Sequence, residues 1–182
     1  MPRSSRHWWA KHTMIENKLP KRKPTRWSEI DYSTEGLYFI TICTHQRKQT
    51  LATIVREGLA PPVIKLTPCG EIAKQQLSLL QARFPNAHVD THVIMPNHIH
   101  LILHLTKAGG ASPSPTVSDI ICAFKSLTTR SCNQSYHAGK LFQRSFFDHV
   151  IRNGQEYVEI SKYVAKNPQT WREDSLYCED NK

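Results

Sequence analysis

Two histidines one residue apart in an aliphatic run, His98-Ile99-His100 within His92-Val93-Ile94-Met95-Pro96-Asn97-His98-Ile99-His100-Leu101-Ile102-Leu103, are the residues best placed to do chemistry. The run reads as two strands joined by a tight Pro-Asn turn. On an extended strand successive side chains alternate between faces, so His98 and His100 share one face and Ile99 and Leu101 the other. Their Cα atoms then lie roughly 6.5–7 Å apart, close enough for both imidazoles to converge on one metal ion. The spacing also suits two half-buried histidines bonded to backbone or water.

A second candidate lies near the end of the chain. Asn153-Gly154-Gln155-Glu156 resembles a capping box and opens a helix. Pro168 ends it near Asn167, because the residue before a proline is disfavoured in the helical region. On a helical wheel Tyr157, Ile160 and Val164 form the buried stripe, with Tyr157 at its centre as a core residue. Tyr163 and Asn167 are i and i+4 on its shoulder, with Cβ atoms roughly 5–6 Å apart. From there a phenol can leave the core and reach a neighbouring site. Tyrosine ionises near pH 10, so it needs help to act as a nucleophile. A divalent cation held by His98 and His100 supplies that help by polarising a phosphate oxygen. The amide oxygen of Asn167 suits a hard cation as a further ligand. By spacing alone Tyr163 also reads as an ordinary half-exposed helical tyrosine.

The elements that must position these groups follow from the local pattern. Residues 37–44 form an aromatic and β-branched strand. Residues 45–66 read as loop with short strands near 51–55 and 63–66. Thr67-Pro68 opens a helix, with Thr67 as N-cap and an apolar stripe of Ala73, Leu77, Leu80 and Phe84. The hairpin occupies 89–95 and 98–105. A Gly/Ser/Pro loop at 109–115 precedes a helix from Thr116, and a strand covers 145–151. The order β-α-β-β-α-β followed by a helix predicts an α+β fold. It is the ferredoxin-like split βαβ plan, an antiparallel sheet with helices on one face.

At 182 residues the chain fits one domain. A net charge of +9 points to a polyanionic partner, most commonly nucleic acid. Eight basic residues face only Glu16 in residues 1–27, which read as a basic arm, with Lys21, Arg22, Lys23 and Arg26 as phosphate contacts. Residues 28–172 form the domain, and the acidic tail at 173–182 is expected to fray. No apolar run approaches a membrane span of about 18–20 residues, and no secretory signal is evident. Five scattered cysteines without a CxxC argue for reduced thiols and a cytoplasmic protein. No cysteine pair is placed to complete a structural zinc site.

Several stretches in order resemble the REP-associated tyrosine transposases, within the His-hydrophobe-His single-strand DNA endonucleases. They are residues 38–47, the hairpin with Met95-Pro96-Asn97-His98-Ile99-His100, Phe124-Lys125-Ser126, residues 142–153, and Tyr163-Val164-Ala165-Lys166-Asn167-Pro168. The resemblance implies metal-dependent nicking of single-stranded DNA. His98 and His100 would hold Mg²⁺ or Mn²⁺, and Tyr163 would attack the scissile phosphate. That leaves a 5′-phosphotyrosine and a free 3′-hydroxyl, and reversal rejoins strands. The implied substrate is a palindromic hairpin in single-stranded DNA, handled by a monomer or homodimer with no membrane involved. Asn167 stands where wider relatives often carry Gln. Lys125, Arg130, Arg144 and Arg152 lie on elements expected to border the site and are candidate DNA contacts. The alternative is a hairpin-binding protein of the same fold with little turnover.

Overall fold

The computed structural model describes residues 35–56, 61–107 and 114–178. The expected phosphate contacts Lys21, Arg22, Lys23 and Arg26, and the first part of the glycine-rich loop, lie outside the described residues. Strands β1 (Gly36–Cys43), β4 (Ala87–Ile94), β5 (His98–Leu105) and β6 (Phe147–Ile151) form one antiparallel sheet in the order β4-β5-β1-β6. Strands β2 (Ala52–Val55) and β3 (Val63–Leu66) form a separate small hairpin between β1 and the first helix. The fold is thus the expected α+β split βαβ arrangement, with the two central strands β5 and β1 each flanked on both sides.

The alternation read from the sequence organises the core. Tyr38, Ile40 and Ile42 of β1 and Ile99, Leu101, Leu103 and Leu105 of β5 face helices α1 (Pro68–Ser78) and α3 (Val117–Tyr136). Phe39 and Ile102 face the other way, where helix α4 (Gly154–Lys166) supplies Ile160 and Val164. Helices therefore cover both faces, not one, because the last helix returns across the sheet. This explains why β5 is buried almost throughout, as expected for a strand with both faces covered. A register shift between Val89 and Thr91 leaves Asp90 as a bulge in β4. Across it Val89 packs with the α1/α3 side and Val93 with the α4 side, so the bulge reverses the strand's facing.

Local signals fix the helix ends. Thr67 accepts a hydrogen bond from the Gly70 amide, and its hydroxyl donates to the Thr50 and Leu51 carbonyls. A Cβ on Gly70 would stand 2.0 Å from the Leu51 carbonyl oxygen, so only glycine allows this approach. The stripe Ala73, Leu77 and Leu80 is buried, but the helix breaks at Leu79 and a short turn, α2 (Leu80–Arg83), carries Leu80. Thr116 and Asp119 close a reciprocal capping box on α3.

On α4 the cap differs from expectation. Asn153 accepts from the Glu156 amide, but the Glu156 carboxylate takes the Arg152 amide and His149 Nε2, not the Asn153 amide. Asn167 keeps helical angles (φ −51°, ψ −41°) despite the following proline. Tertiary bonds to its side chain, described below, outweigh the local preference. Tyr157 is half-buried, not core: its hydroxyl donates to Asp90 at the bulge, 2.7 Å away. The chain beyond Glu173 is not frayed through Cys178, because Trp171 and Leu176 are buried and Cys178 is hydrogen-bonded. Among the described residues no helix is long and apolar enough to cross a membrane, and all five cysteines are free.

Candidate metal centre and nucleophile

Strand β5 delivers His98 and His100 side by side on the α4 face, with ring centroids 4.4 Å apart. Both are buried, at 0% and 2% exposure. Each has its Nδ1 occupied. Thr41, directly across β1 from His100, places Oγ1 2.8 Å from His100 Nδ1. Asn97 places Oδ1 2.9 Å from His98 Nδ1, while its Nδ2 donates to the Leu176 carbonyl. That second bond fixes which end of the Asn97 amide is oxygen. An amide oxygen only accepts, so His98 carries its proton on Nδ1 and presents a lone pair at Nε2.

That lone pair has no hydrogen-bond partner among the described residues, and neither has the buried Asn167 Oδ1. An unsatisfied buried polar group costs about 1–3 kcal/mol. Two acceptors cannot satisfy each other, but one cation satisfies both. Asp174 completes the cluster: one ligand atom each from His98, His100 and Asp174 lie within 4.8 Å of one another. Its Oδ2 accepts from Asn167 Nδ2 at 2.7 Å and from the Tyr163 hydroxyl at 3.4 Å, and its Oδ1 accepts from the Leu176 amide. Two imidazoles, a carboxylate and a neighbouring amide oxygen suit a divalent cation.

Tyr163 reaches this cluster from α4, its hydroxyl 3.3 Å from His100 Nε2. Phe39 stacks on His100 and meets Tyr163 edge-on, and Trp171 tilts over His98. The aromatic walls exclude water and shift the titration of everything inside. Burial drives His98 down to about 4, against the opposing pull of the Asp174 carboxylate and the Asn167 side chain. Burial, then the charge of His98, holds His100 well below its usual value. Both imidazoles are therefore neutral at neutral pH, the form that ligates metal. Burial, then the Asp174 charge, pushes the Tyr163 phenol far up, so without added positive charge it stays protonated.

Sequence reasoning placed His98, His100, Tyr163 and Asn167, and the fold brings all four together. It missed Asp174, which it assigned to a loose tail, and the orienting pair Thr41 and Asn97. The pairing of Thr41 with His100 follows from strand register, but Asp174 comes from an irregular turn with no periodic signal.

The basic candidates divide. Lys125 spends its ammonium on the Arg144 and Ser145 carbonyls, so it braces the chain before β6. Arg130 and Arg144 are exposed and, with Lys140, line a groove between α3 and residues 140–144. This groove opens at the Thr44 end of β1, where Thr44 pairs with Phe142. Arg152 follows Ile151, which pairs with Leu37 at the far end of β1, so it stands away from the metal cluster.

A split βαβ sheet carrying a buried His-X-His pair on one face, with a helical tyrosine laid against it, defines a class of α+β protein. The fold is similar to that of the solved structure of a REP-associated tyrosine transposase bound to a REP hairpin. The two share 20% identity with a TM-score of 0.56, over 79% of this chain and 73% of that one. The fold expected from the sequence resemblance is thereby met. An uncharacterized protein of Haemophilus influenzae is 28% identical over 174 residues, covering 87% of this chain and 94% of its own. No family model matches the chain.

Proposed function

We propose that this protein cuts and rejoins single-stranded DNA in a divalent-cation-dependent reaction, with Tyr163 as nucleophile, on DNA folded as palindromic hairpins. The observation that carries the reading is the Tyr163 hydroxyl 3.3 Å from His100 Nε2, beside the unpaired acceptors of His98 and Asn167. A REP hairpin is bound by the transposase of similar fold, which supports the choice of DNA. Mg²⁺ or Mn²⁺ held by His98, His100 and Asp174, with Asn167 beside them, supplies the charge that favours phenol ionisation and offsets charge developing on the phosphate.

The chain's own residues do the rest. Thr41 and Asn97 hold the two imidazoles in the orientation that turns Nε2 inward, as second partners of ligating histidines do. Phe39 and Trp171 wall the site, so charges inside act at low dielectric. The Tyr163 oxygen bonds to phosphorus as the bond to the 3′-oxygen breaks. The phenol loses one proton and the 3′-oxygen gains one, giving a phosphotyrosine and a 3′-hydroxyl. A phosphodiester is exchanged for a phosphodiester, so another 3′-hydroxyl can reverse the step without ATP. Arg130, Arg144 and Lys140 offer phosphate contacts along the hairpin, and such contacts weaken steeply with salt.

The test is incubation with labelled single-stranded hairpins and Mn²⁺ or Mg²⁺, scored for a denaturant-resistant protein–DNA adduct. Wild type is expected to form it, and Tyr163→Phe to lose it while keeping hairpin affinity within about threefold. Adduct formation by Tyr163→Phe refutes the assignment. Hairpin binding without any adduct in wild type favours the binding-only reading.

A further inference from the structure

Resting on the nuclease reading above, we propose that a groove beside the His98–His100 centre binds an unpaired nucleotide next to the scissile phosphate. The base stacks on Tyr177, and its phosphate meets the guanidinium groups of Arg56 and Arg172. The groove holds about 570 Å³ and is lined by Gln49, Thr53, Arg56, Trp171, Arg172 and Tyr177. Pockets of roughly 300–1,000 Å³ take ligands of drug size, and a nucleotide falls in that class.

Two walls from distant parts of the chain form the groove. One starts where the chain leaves β1 through left-handed Gln46 and Arg47, passes Gln49 and continues through β2 to Arg56. The other is the segment after α4, with Trp171, Arg172 and Tyr177. Arg56 Nη2 donates to the Gln169 carbonyl and Gln49 Nε2 to the Cys178 carbonyl, each at 2.9 Å. These ties join residues 113 and 129 positions apart in the chain, so the fold itself sets the spacing of the walls.

The groove adjoins the centre on two counts. Trp171 lines it and also tilts over His98, with ring centroids 5.7 Å apart. The Tyr177 amide donates to the Asp174 carbonyl at 2.9 Å, so one tight turn carries both the acid of the centre and a ring of the groove. Tyr177 is half-buried and stands edge-on to Trp171, 5.2 Å between centroids. A strand with one phosphate at the centre therefore brings a neighbouring nucleotide within reach of the groove.

The lining selects the occupant. The described lining residues include two arginines and no carboxylate. Cations alone would suit a bare phosphate, and rings alone an apolar ligand. Together they suit single-stranded nucleic acid, whose bases stack on aromatic rings while its phosphates meet basic side chains. A guanidinium has five N–H donors, so the bond from Arg56 to Gln169 aims the group and leaves donors for a phosphate. Bases inside a hairpin stem are already paired and stacked, so the occupant is an unpaired nucleotide. The stem itself is left to the separate groove of Arg130, Lys140 and Arg144.

The experiment measures affinity for one hairpin with a 5′ single-stranded flank, a 3′ flank or none, and adduct formation on the flanked forms with Mn²⁺. Wild type is expected to bind one flanked form at least about tenfold tighter than the bare hairpin, as one stacked base plus one phosphate contact allow. Arg172→Ala and Tyr177→Ala are each expected to lose at least about fivefold of that gain. Both should bind the bare hairpin as wild type does, which also shows that they fold. 2-Aminopurine in the flank should lose fluorescence on binding wild type and Tyr177→Phe, but not Tyr177→Ala. Should Tyr177→Ala fail to fold, exposed Arg172→Ala and the wild-type flank dependence still decide. Equal affinity for bare and flanked hairpins, or quenching that survives in Tyr177→Ala, would overturn the groove and leave the nuclease reading standing. Flank-dependent binding without any adduct would overturn the nuclease reading and leave the groove as a single-strand site.

Discussion

On one side of the sheet, Tyr38, Ile40, Ile42, Ile99, Leu101 and Leu103 interlock with Ile120, Ile121 and Phe124 of α3 and with Ala73 and Leu77 of α1. On the other, α4 covers a smaller apolar set, Phe39, Ile102 and Ile151 beneath Ile160 and Val164, with Leu37 and Val93 partly buried beside them. Next to that set lie Thr41, His98 and His100 of the sheet and Asn167 at the end of α4, all buried and polar. The first face is what the hydrophobic effect builds unaided. The second gathers two unpaired acceptors, His98 Nε2 and Asn167 Oδ1, in one cluster with Asp174, whereas on α1 Gln76 Oε1 is a single unpaired atom, and most buried polar atoms find partners. A chain built only for stability would fill that gap with aliphatic side chains. The contrast is why the proposed function is placed on the α4 face.

The contrast can be pressed at four points, from the largest expected effect down. Phe124→Ala, on the apolar face, is expected to lower unfolding free energy by about 3–5 kcal/mol, read by urea denaturation; a loss under 1 kcal/mol would contradict the assignment of that core. Mn²⁺ at a hundredfold excess over its Kd should raise stability by about 2.7 kcal/mol, with no such gain in His98→Leu or His100→Leu. A gain that survives both substitutions would place the cation elsewhere.

Acid should act on the α4 face in particular. His98 titrates near 4 and His100 well below its usual value in the folded chain, while unfolded histidine titrates near 6.5. The unfolded state therefore takes up protons first, so stability is full above about pH 6.5 and falls as pH drops toward 4. The loss is on the order of 1 kcal/mol per pH unit for each proton that the unfolded chain takes up and the folded chain does not. In His98→Leu the metal-free slope should flatten; an unchanged slope would assign it to other groups. The last effect is on the metal-free stability of His98→Leu itself, expected to fall by about 1–3 kcal/mol, because the substitution leaves the buried Asn97 Oδ1 without the His98 Nδ1–H it now accepts from.

The same division governs how far the sequence could be read. Alternation in Leu37–Cys43 and His98–Leu105, and the Thr67-Pro68 and Thr116 caps, are local signals, and they gave the strands, the helices and the facing of the two histidines. Tyr163 and Asn167 were legible because helical period places them together. Tyr157 was misplaced at the centre of the stripe, because a bulge at Asp90 gave its hydroxyl an acceptor at the edge. Asp174 was illegible for a related reason. Its position depends on the burial of Trp171 and Leu176 and on the Asn97 bond to the Leu176 carbonyl, none of which a local pattern encodes. The left-handed pair Gln46–Arg47 escaped notice because neither is a residue type that announces such a turn.

The account depends most on the Tyr163 oxygen becoming the covalent link to DNA. Peptide mapping by mass spectrometry of the protein recovered after reaction with a hairpin and Mn²⁺ tests this directly. The account predicts a nucleotide-bearing peptide with the modification on Tyr163 and none on Tyr157, the other tyrosine of α4. A modification on any other residue, or an adduct that forms equally well when His98 and His100 are both replaced by leucine, would contradict it.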